Sequence, residues 1–499
     1  DGYLILSSEV GVLDIAPDRI ACKERLHPGK MLLVDIKEKR IITDEEIKMK
    51  YATQHPYGEW LQSNLVHLKD LPIPNQNTIH IKGEELAKQK KMFDYSYEDV
   101  QDYILPMALY AKEPVVSMGA DTPLPFMSKR YQPLFNYFKQ LFAQVTNPPI
   151  DSIREEIVTS TAVYLGKDGN LLEDKAENAK VLKINNPILS NLDLLKIRYM
   201  KKGFQTSDIS LLYYKNTPLD KAIENMCNDA DKAIENGSTI LILSDRGVDE
   251  THLPIPSLLA VSAMHQHLLR TKRRLSCALI LETAEPKEVH HFATLLGYGA
   301  SAINPYLIQD CIQELIEDGT LNKEYYSAVN DFNHGILSGI VKIASKMGIS
   351  TLQSYQGSQN FEAIGIDQQV ISKYFGSTVS RIGGINLKDI ERQVNTKHNL
   401  VYDPFGLEVN LGLESRGEHK LRSGKEEHLY NPETIHALQK AVRTNDYALY
   451  QTYAKRVIEE ENSSHIRGML ELHSDRAPIA IEEVESVASI VQRFKTGAM

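Results

Sequence analysis

Thr239-Ile240-Leu241-Ile242-Leu243, Ala278-Leu279-Ile280-Leu281 and Ala300-Ser301-Ala302-Ile303 are three short apolar runs in the second half of the chain. Each lacks the polar alternation of a strand with one wet face and falls short of the usual length of a helix, so each reads as a strand buried on both sides. Segments with helical spacing lie between and after them: Pro256 to Arg270, about Pro286 to Leu296, and Pro305 to Ile316. A helix between two strands returns the chain to the same edge of the layer, and the second strand then runs parallel to the first. The fold class is therefore α/β, with a central parallel α/β domain.

Outward from this layer the signals are more local. Residues 1–60 read as short strands and turns, with Met31-Leu32-Leu33-Val34-Asp35 after Gly29-Lys30 and Arg40-Ile41-Ile42 after a charged turn. From about 65 to 100 the chain is polar, rich in Lys, Pro and Gln and without a sustained period, which predicts an inter-domain connector. Pro106, Pro114, Pro123, Pro125, Pro133, Pro148 and Pro149 exclude a long helix over 100–150, except across the aromatic stretch Leu134 to Val145. Asp168-Gly169 predicts a tight turn joining Ser160–Tyr164 to Leu171-Leu172 as a hairpin. Beyond 320, Gly-rich loops at Ser354–Gly357 and Ile382-Gly383-Gly384 alternate with helices. One of these is capped by Asn431, starts at Pro432 and carries Ile435, Leu438 and Val442 on one face.

Tyr3-Leu4-Ile5-Leu6 follows directly on Asp1. At the other end Val484, Val487, Ile490, Val491 and Phe494 form a helical stripe before Thr496-Gly497-Ala498-Met499. Both ends are expected to lie inside domains. The 499 residues have 42% hydrophobic and 24% charged content, as ordinary globular chains do. A net charge of -10 argues against a phosphate-backbone footprint, so no nucleic acid partner is expected. No apolar run reaches the ~18–20 residues of a membrane span and no signal peptide opens the chain, which gives a cytoplasmic expectation with no membrane partner. Cys22, Cys227, Cys277 and Cys311 are far apart, without metal-ligand spacing, and are expected to be reduced and mostly buried.

In a parallel layer the ligand crevice lies beyond the carboxyl ends of the strands. Asp245 and Arg246 follow the first run and Glu282 follows the second, a possible acid/base or anion site whose simpler reading is ion pairing with each other or with nearby Lys. Gly297-Tyr298-Gly299-Ala300-Ser301-Ala302 matches the dinucleotide fingerprint as a string, but a helix precedes it and a strand follows, the reverse of the required order. Gly297 is therefore expected to end a helix. His265 and His267, two apart on a helix, point away from each other, and adjacent His290 and His291 also diverge, so neither pair chelates a metal. His265 shares a face with Leu258, Val261 and Leu268 and is expected in the core. Arg270, Lys272, Arg273 and Arg274 are expected to form a solvated basic end to the same helix, with phosphate binding as the alternative. Catalytic and metal residues are expected to be none.

Longer strings carry more. Ser8-Glu9-Val10-Gly11-Val12-Leu13-Asp14-Ile15 and His27-Pro28-Gly29-Lys30-Met31 resemble the last strands of the amidotransferase domain of the glutamate synthase family. Ser117-Met118-Gly119-Ala120-Asp121-Thr122-Pro123-Leu124, the run Leu134–Asp151, Leu243-Ser244-Asp245-Arg246-Gly247 and Glu288-Val289-His290-His291-Phe292 resemble its central domain. Ser345–Tyr355, Phe361-Glu362-Ala363, Gly417-Glu418-His419, Asn431–Ile435 and Phe494–Met499 resemble the opening of its flavin domain.

The resemblance covers nearly the whole chain and implies three parts: 1–63, the C-terminal, β-rich part of a glutamine amidotransferase domain; 64–320, the central connecting domain; and 321–499, the N-terminal part of an FMN-binding synthase domain of the (β/α)8 type. It implies an oxidoreductase parent that makes L-glutamate from L-glutamine and 2-oxoglutarate, passing ammonia through an internal tunnel and using FMN and a 3Fe-4S cluster. The amidotransferase nucleophile and the cluster cysteines would lie outside this chain, which is expected to be inactive alone and to bind neither cofactor. Gly497, Ala498 and Met499 resemble the first flavin-facing segment. The implied partners are the remainder of the glutamate synthase polypeptide and a small electron-delivering subunit or ferredoxin. The alternative is a non-catalytic scaffold or interaction module derived from the family.

Overall fold

The architecture follows from how four strand ends line up. In this computed structural model, which describes residues 3–9, 11–115, 119–141, 148–201, 203–402 and 409–497, the principal elements are α1 (Gly83–Met92), α2 (Asn191–Arg198), β1 (Thr206–Ser210), α3 (Leu219–Glu235), β2 (Ile240–Ser244), α4 (Ser257–Arg270), β3 (Ala278–Glu282), α5 (Val289–Gly297), β4 (Ala302–Asn304), α6 (Tyr306–Glu317), α7 (Tyr325–Lys346), β5 (Phe361–Ile366), β6 (Val379–Ile385) and α8 (Leu387–Tyr402). Strands β1 to β4 form one parallel sheet in sequential order. Its register sets Ser210 beside Ser244, Ser244 beside Glu282, and Glu282 beside Asn304, a polar row across the carboxyl edge.

The apolar runs are strands because both faces are covered: Ile240, Leu241, Ile242, Leu243, Leu279, Ile280 and Leu281 have no exposed surface. Helix α3 buries Leu219, Ala222, Ile223, Met226, Cys227 and Ala230, the spacing of one helical face. Helix α5 buries residues all round and is an interior helix. The sheet's fourth strand, β1, was not expected. It reads Thr-Ser-Asp-Ile-Ser and buries only Ile209, so its pattern is that of a polar edge.

Other expectations change. The stretch read as a connector contains α1, whose inner face includes Gln89 and Lys90. Lys90 Nζ reaches Glu314 on α6 at 2.6 Å, so a buried lysine, paired with a carboxylate still 38% exposed, stands where periodicity would show an apolar residue. Leu134–Tyr137 is a 3-10 turn rather than the start of a helix, and Phe138–Gln140 pairs antiparallel with β5; residues 142–147 of that stretch lie outside the described residues. Val163–Leu165 pairs with Leu182–Ile184 instead of closing a hairpin at Asp168-Gly169, and Leu171 and Leu172 are exposed. Ile382-Gly383-Gly384 is strand, not loop. A Cβ at Gly384 would stand 2.2 Å from the Gly365 carbonyl, so glycine lets β5 and β6 meet across an irregular register.

Among the described residues of 1–64 are a hairpin, Leu33–Asp35 with Arg40–Ile42, a 3-10 turn at Pro17–Arg19, and the helices Asp44–Ala52 and Tyr57–Asn64, so this part carries more helix than the expected β-rich piece. Asn431 does cap the helix Pro432–Thr444, its side chain accepting from the Glu433 and Thr434 amides. Ile435 and Val442 on that helix are nevertheless exposed. Cys227, Cys277 and Cys311 are buried free thiols, and Cys22 is exposed. One hydrophobic core runs from Leu71 to Val401. Among the described residues no helix is long and apolar enough to cross a membrane.

Candidate functional site

The carboxyl edge of the sheet opens on a cavity of about 450 Å³, bounded by the row of strand ends, by α2 and by the extended segment around Thr78. The charged groups foreseen there divide into two kinds. Glu282, at the end of β3, accepts from Arg246 Nε at 2.9 Å, Arg198 Nη2 at 2.7 Å and Ser244 Oγ at 2.8 Å. Burial opposes its charge, but the two guanidinium groups outweigh that and hold the carboxyl below its ordinary range. Arg246 also stacks 3.9 Å from the Tyr306 ring centre.

Asp245 pairs with neither arginine. It is fully buried, accepts from Thr283 Oγ1 at 2.5 Å and from the Ala284 amide at 3.1 Å, and burial pushes it up to about 7 despite the Thr283 bond. It is therefore about half protonated at pH 7, and its bonds tie the end of β2 to the Thr283–Ala284 segment. Ion pairing thus accounts for Arg246 and Glu282, with Arg198 rather than a lysine as third member. The sequence hid Arg198 because it lies on α2, forty-eight positions before Arg246.

A second polar centre gathers around Lys287, just before α5. Lys287 Nζ sits 3.1 Å from Asp99 Oδ2 and 4.7 Å from the Tyr95 ring centre, and also bonds the Asp94 carbonyl. Arg416 pairs with Asp94 and lies near Glu418 at 3.6 Å. Burial works against the Asp99 charge, yet Lys287 and Arg416 bring its carboxyl down to about 2. Burial, reinforced by Asp99 and Glu418, pushes Glu288 up to about 7. The Glu288 side chain is nevertheless 40% exposed, and its Oε1 lies 3.3 Å from His291 Nε2. The cluster joins segments around residues 94–99, 287–288 and 416–418, and no composition signal marked it.

The remaining candidates are packing features. His265 Nδ1 accepts from Arg274 Nε at 2.9 Å, and burial brings the imidazole down to about 4; His267 turns away to Asp231 at 2.8 Å. His290 donates to the Phe135 carbonyl, while His291 Nδ1 accepts the Lys287 amide. The basic helix end is only partly a solvated face. Arg273 ties to Asp231 and Glu235 on α3, and Arg274 turns inward to the Cys277 and Gly299 carbonyls.

Gly297 is the last residue of α5, but Gly299 is the left-handed one, at φ +112°. Its amide bonds the Leu296 carbonyl and that of Ala300 bonds Leu295, a Schellman ending that explains the glycine string. Among the described residues no group of three or more His, Cys, Asp or Glu side chains could hold a metal ion, so an iron-sulfur cluster does not fit them. Gly497 ends an exposed helix on which Val487 and Phe494 face solvent, and Ala498 and Met499 lie outside the described residues.

A family model described as "Glutamate synthase central domain" matches residues 88–367, one described as "Glutamine amidotransferases class-II" matches 1–60, and one described as "Conserved region in glutamate synthase" matches 428–499. The chain is 45% identical over 500 residues to the glutamate synthase [NADPH] large chain of Bacillus subtilis, a match that takes in 100% of this chain and 32% of that protein. It is 38% identical over 528 residues to ferredoxin-dependent glutamate synthase 2 of Synechocystis, covering 33% of it, and 38% identical over 516 residues to the glutamate synthase [NADH] of Schizosaccharomyces pombe, covering 24%. The chain therefore spans about a third or less of the length of these relatives. A flavocytochrome b2 variant with sulfite bound overlaps 26% of the chain and 31% of its own at 15% identity and a TM-score of 0.20, a likeness too slight to bear on the fold.

Proposed function

The chain belongs to the glutamate synthase family, and from that premise we propose that it forms the connecting region of such an enzyme, between a glutamine-hydrolysing part and a flavin-dependent synthase part. In this reading the longer protein makes L-glutamate from L-glutamine and 2-oxoglutarate by reductive use of transferred ammonia. Residues 1–63 finish the amidotransferase part, 64–320 form the connecting domain and wall of the ammonia conduit, and 321–499 open the synthase part. Gly497, Ala498 and Met499 approach a flavin held mainly by other residues.

One observation carries the reading: the three family matches occur in one chain in the order amidotransferase, central domain, synthase. The geometry is compatible with it, since Arg198, Arg246 and Glu282 at the sheet edge pair with one another and the Lys287 cluster joins distant segments. Electron delivery by a small subunit or ferredoxin would then act on the longer protein.

The test is to purify the 499-residue chain and assay glutamine hydrolysis, glutamate formation, iron and flavin. Neither activity and neither cofactor is expected in the chain alone, whereas both activities are expected when the chain is part of the longer polypeptide. Glutamine hydrolysis or a bound yellow chromophore in the isolated chain would overturn the assignment.

A further inference from the structure

His428 has an acceptor on each side of its ring. Nδ1 lies 2.9 Å from Asp121 Oδ1, and Nε2 lies 2.6 Å from the Gly417 carbonyl oxygen. Burial opposes the charge on Asp121, but the His428 ring and the Tyr430 amide outweigh it and hold the carboxyl below its ordinary range. Neither an ionised carboxylate nor a backbone carbonyl has a proton to give, so both ring nitrogens must donate. A neutral imidazole carries one N–H and would turn a lone pair on one of these oxygens. Only the imidazolium satisfies both, and with the side chain 8% exposed there is little access for water to replace either partner.

This contact is the centre of a clasp between stretches 307 positions apart. The Leu429 amide donates to the Asp121 carbonyl at 3.0 Å and the Tyr430 amide to Asp121 Oδ2 at 3.1 Å. Glu426 Oε2 accepts from Ser128 Oγ at 2.8 Å and from Gln132 Nε2 at 3.0 Å, and Arg130 bonds the Gly424 carbonyl. Asp121 lies in the stretch that matches the central-domain model, and His428 is the first residue of the third match, so the clasp joins the two.

Burial also opposes the charge on His428, but the Gly417 carbonyl, Asp121 and Glu426 outweigh it and hold the imidazole above its ordinary value. Of the cations on the surrounding segments, Arg416 is paired with Asp94, Lys129 with Glu427, Lys425 with Glu414, and Arg456 with Glu433 and Glu460. We propose that His428 is a protonation-dependent pin: as an imidazolium it fastens 417–430 to 121–132, and loss of its proton frees one end of the ring and loosens that junction. A histidine held above its unfolded value of about 6.5 contributes in full below that pH, and the contribution is lost as pH rises through the folded value. The junction therefore tightens on mild acidification and loosens on the alkaline side. The pin needs neither ammonia nor flavin to act, so it holds whether or not the connecting-region reading does.

The test uses the full 499-residue chain. Backbone hydrogen exchange is read by mass spectrometry at about pH 6 and about pH 9, each rate being divided by the intrinsic rate at that pH, and protection across 417–430 is expected to fall about threefold or more between the two. In His428→Gln, which stays neutral, protection at the lower pH should drop toward the alkaline level and no longer respond to pH. Selective 15N labelling of histidine then reads the ring itself. The signal missing from His428→Gln should be an imidazolium at the lower pH, with a midpoint above about 6.5. Asp121→Asn keeps an acceptor but removes the counter-charge, and should move that midpoint down. If His428→Gln fails to fold, the ring signal that moves in Asp121→Asn identifies His428 and decides the matter. A neutral ring at the lower pH, protection of 417–430 that is equal at both pH values, or an unchanged pH response in His428→Gln would overturn the proposal.

Discussion

The imidazole of His265 occupies the space into which a side chain at position 299 would grow: a Cβ on Gly299 would stand 2.5 Å from Nδ1. Position 299 also holds a φ of +112°, which an L side chain rarely adopts. Gly299→Ala therefore meets overpacking and backbone strain together, each on the order of 1–3 kcal/mol. Urea unfolding should show a loss in that range or above. In a double-mutant cycle, His265→Ala should recover the steric part and leave the backbone part. Purely additive losses would mean that the ring is not the obstacle.

His265 gives stability a defined acid limb. Burial, aided by the nearby Arg274 charge, holds its folded value at about 4, below the ordinary value of about 6.5. Between these values the unfolded chain binds a proton that the folded chain refuses. The contribution is complete above about pH 6.5, declines as pH falls toward 4, and amounts to roughly 3 kcal/mol at ~1.4 kcal/mol per unit. His265→Asn should flatten that limb in thermal melts collected from pH 4 to 7.

Asp245 works in the opposite direction over an overlapping window. Its folded value of about 7 exceeds the ~3.9 of an unfolded aspartate, so here the folded chain holds the extra proton. Stability from this group is greatest below about pH 4, falls as pH rises through 7, and stays low above. Asp245→Asn keeps an acceptor for the Ala284 amide and cannot ionise. It should stabilise the protein by a few kcal/mol at pH 8 and change little at pH 4. Because the two groups offset each other between pH 4 and 6.5, each single variant should expose the slope of the other.

Arg246 and Glu282 form the buried pair of the sheet edge. Removing one partner strands the other, and Arg246→Ala should cost about 3–5 kcal/mol. Arg198 stays beside Glu282 and limits the loss to the lower part of that range. Arg246→Met combined with Glu282→Gln should recover more than half of it, as judged by denaturation midpoint at constant slope. Failure of the pair to recover would place the cost in the Tyr306 stacking contact instead.

The parallel layer was legible because strands buried on both faces must be apolar throughout, and Ile240–Leu243 and Ala278–Leu281 are. Strand β1 was not, because an edge strand with only Ile209 buried looks like loop. Helix α1 was hidden for a related reason: Lys90 lies on its inner face and is matched by Glu314, more than two hundred positions away. The same holds at the candidate site. Asp245, Arg246 and Glu282 were visible as charges directly after apolar runs, whereas Arg198 comes from a segment whose local pattern carries no such mark. Residues that meet only in the folded state leave no periodic signal, and Lys287 with Asp99 and Arg416 is another group of this sort.

That group yields a last expectation. Lys287 is an interior ammonium that burial pulls below the ordinary lysine value, and Arg416 adds to the effect; Asp99 and Asp94 keep it charged. Its contacts bind the 94–99 segment to the start of α5, while Arg416 draws in the later chain through Asp94. Lys287→Met fills the volume but removes the ammonium that Asp99 bonds, leaving the Arg416 charge to act on it. A stranded buried carboxylate costs about 3–5 kcal/mol, and protonation is its cheapest relief. The variant should therefore lose stability chiefly at neutral pH and regain part of it on acidification toward pH 5, as Asp99 rises from about 2. Hydrogen exchange should also quicken in the 94–104 segment before the central sheet, because the tie removed is local to it. A uniform, pH-independent loss would show that Lys287 serves as packing volume rather than as the counter-charge of Asp99.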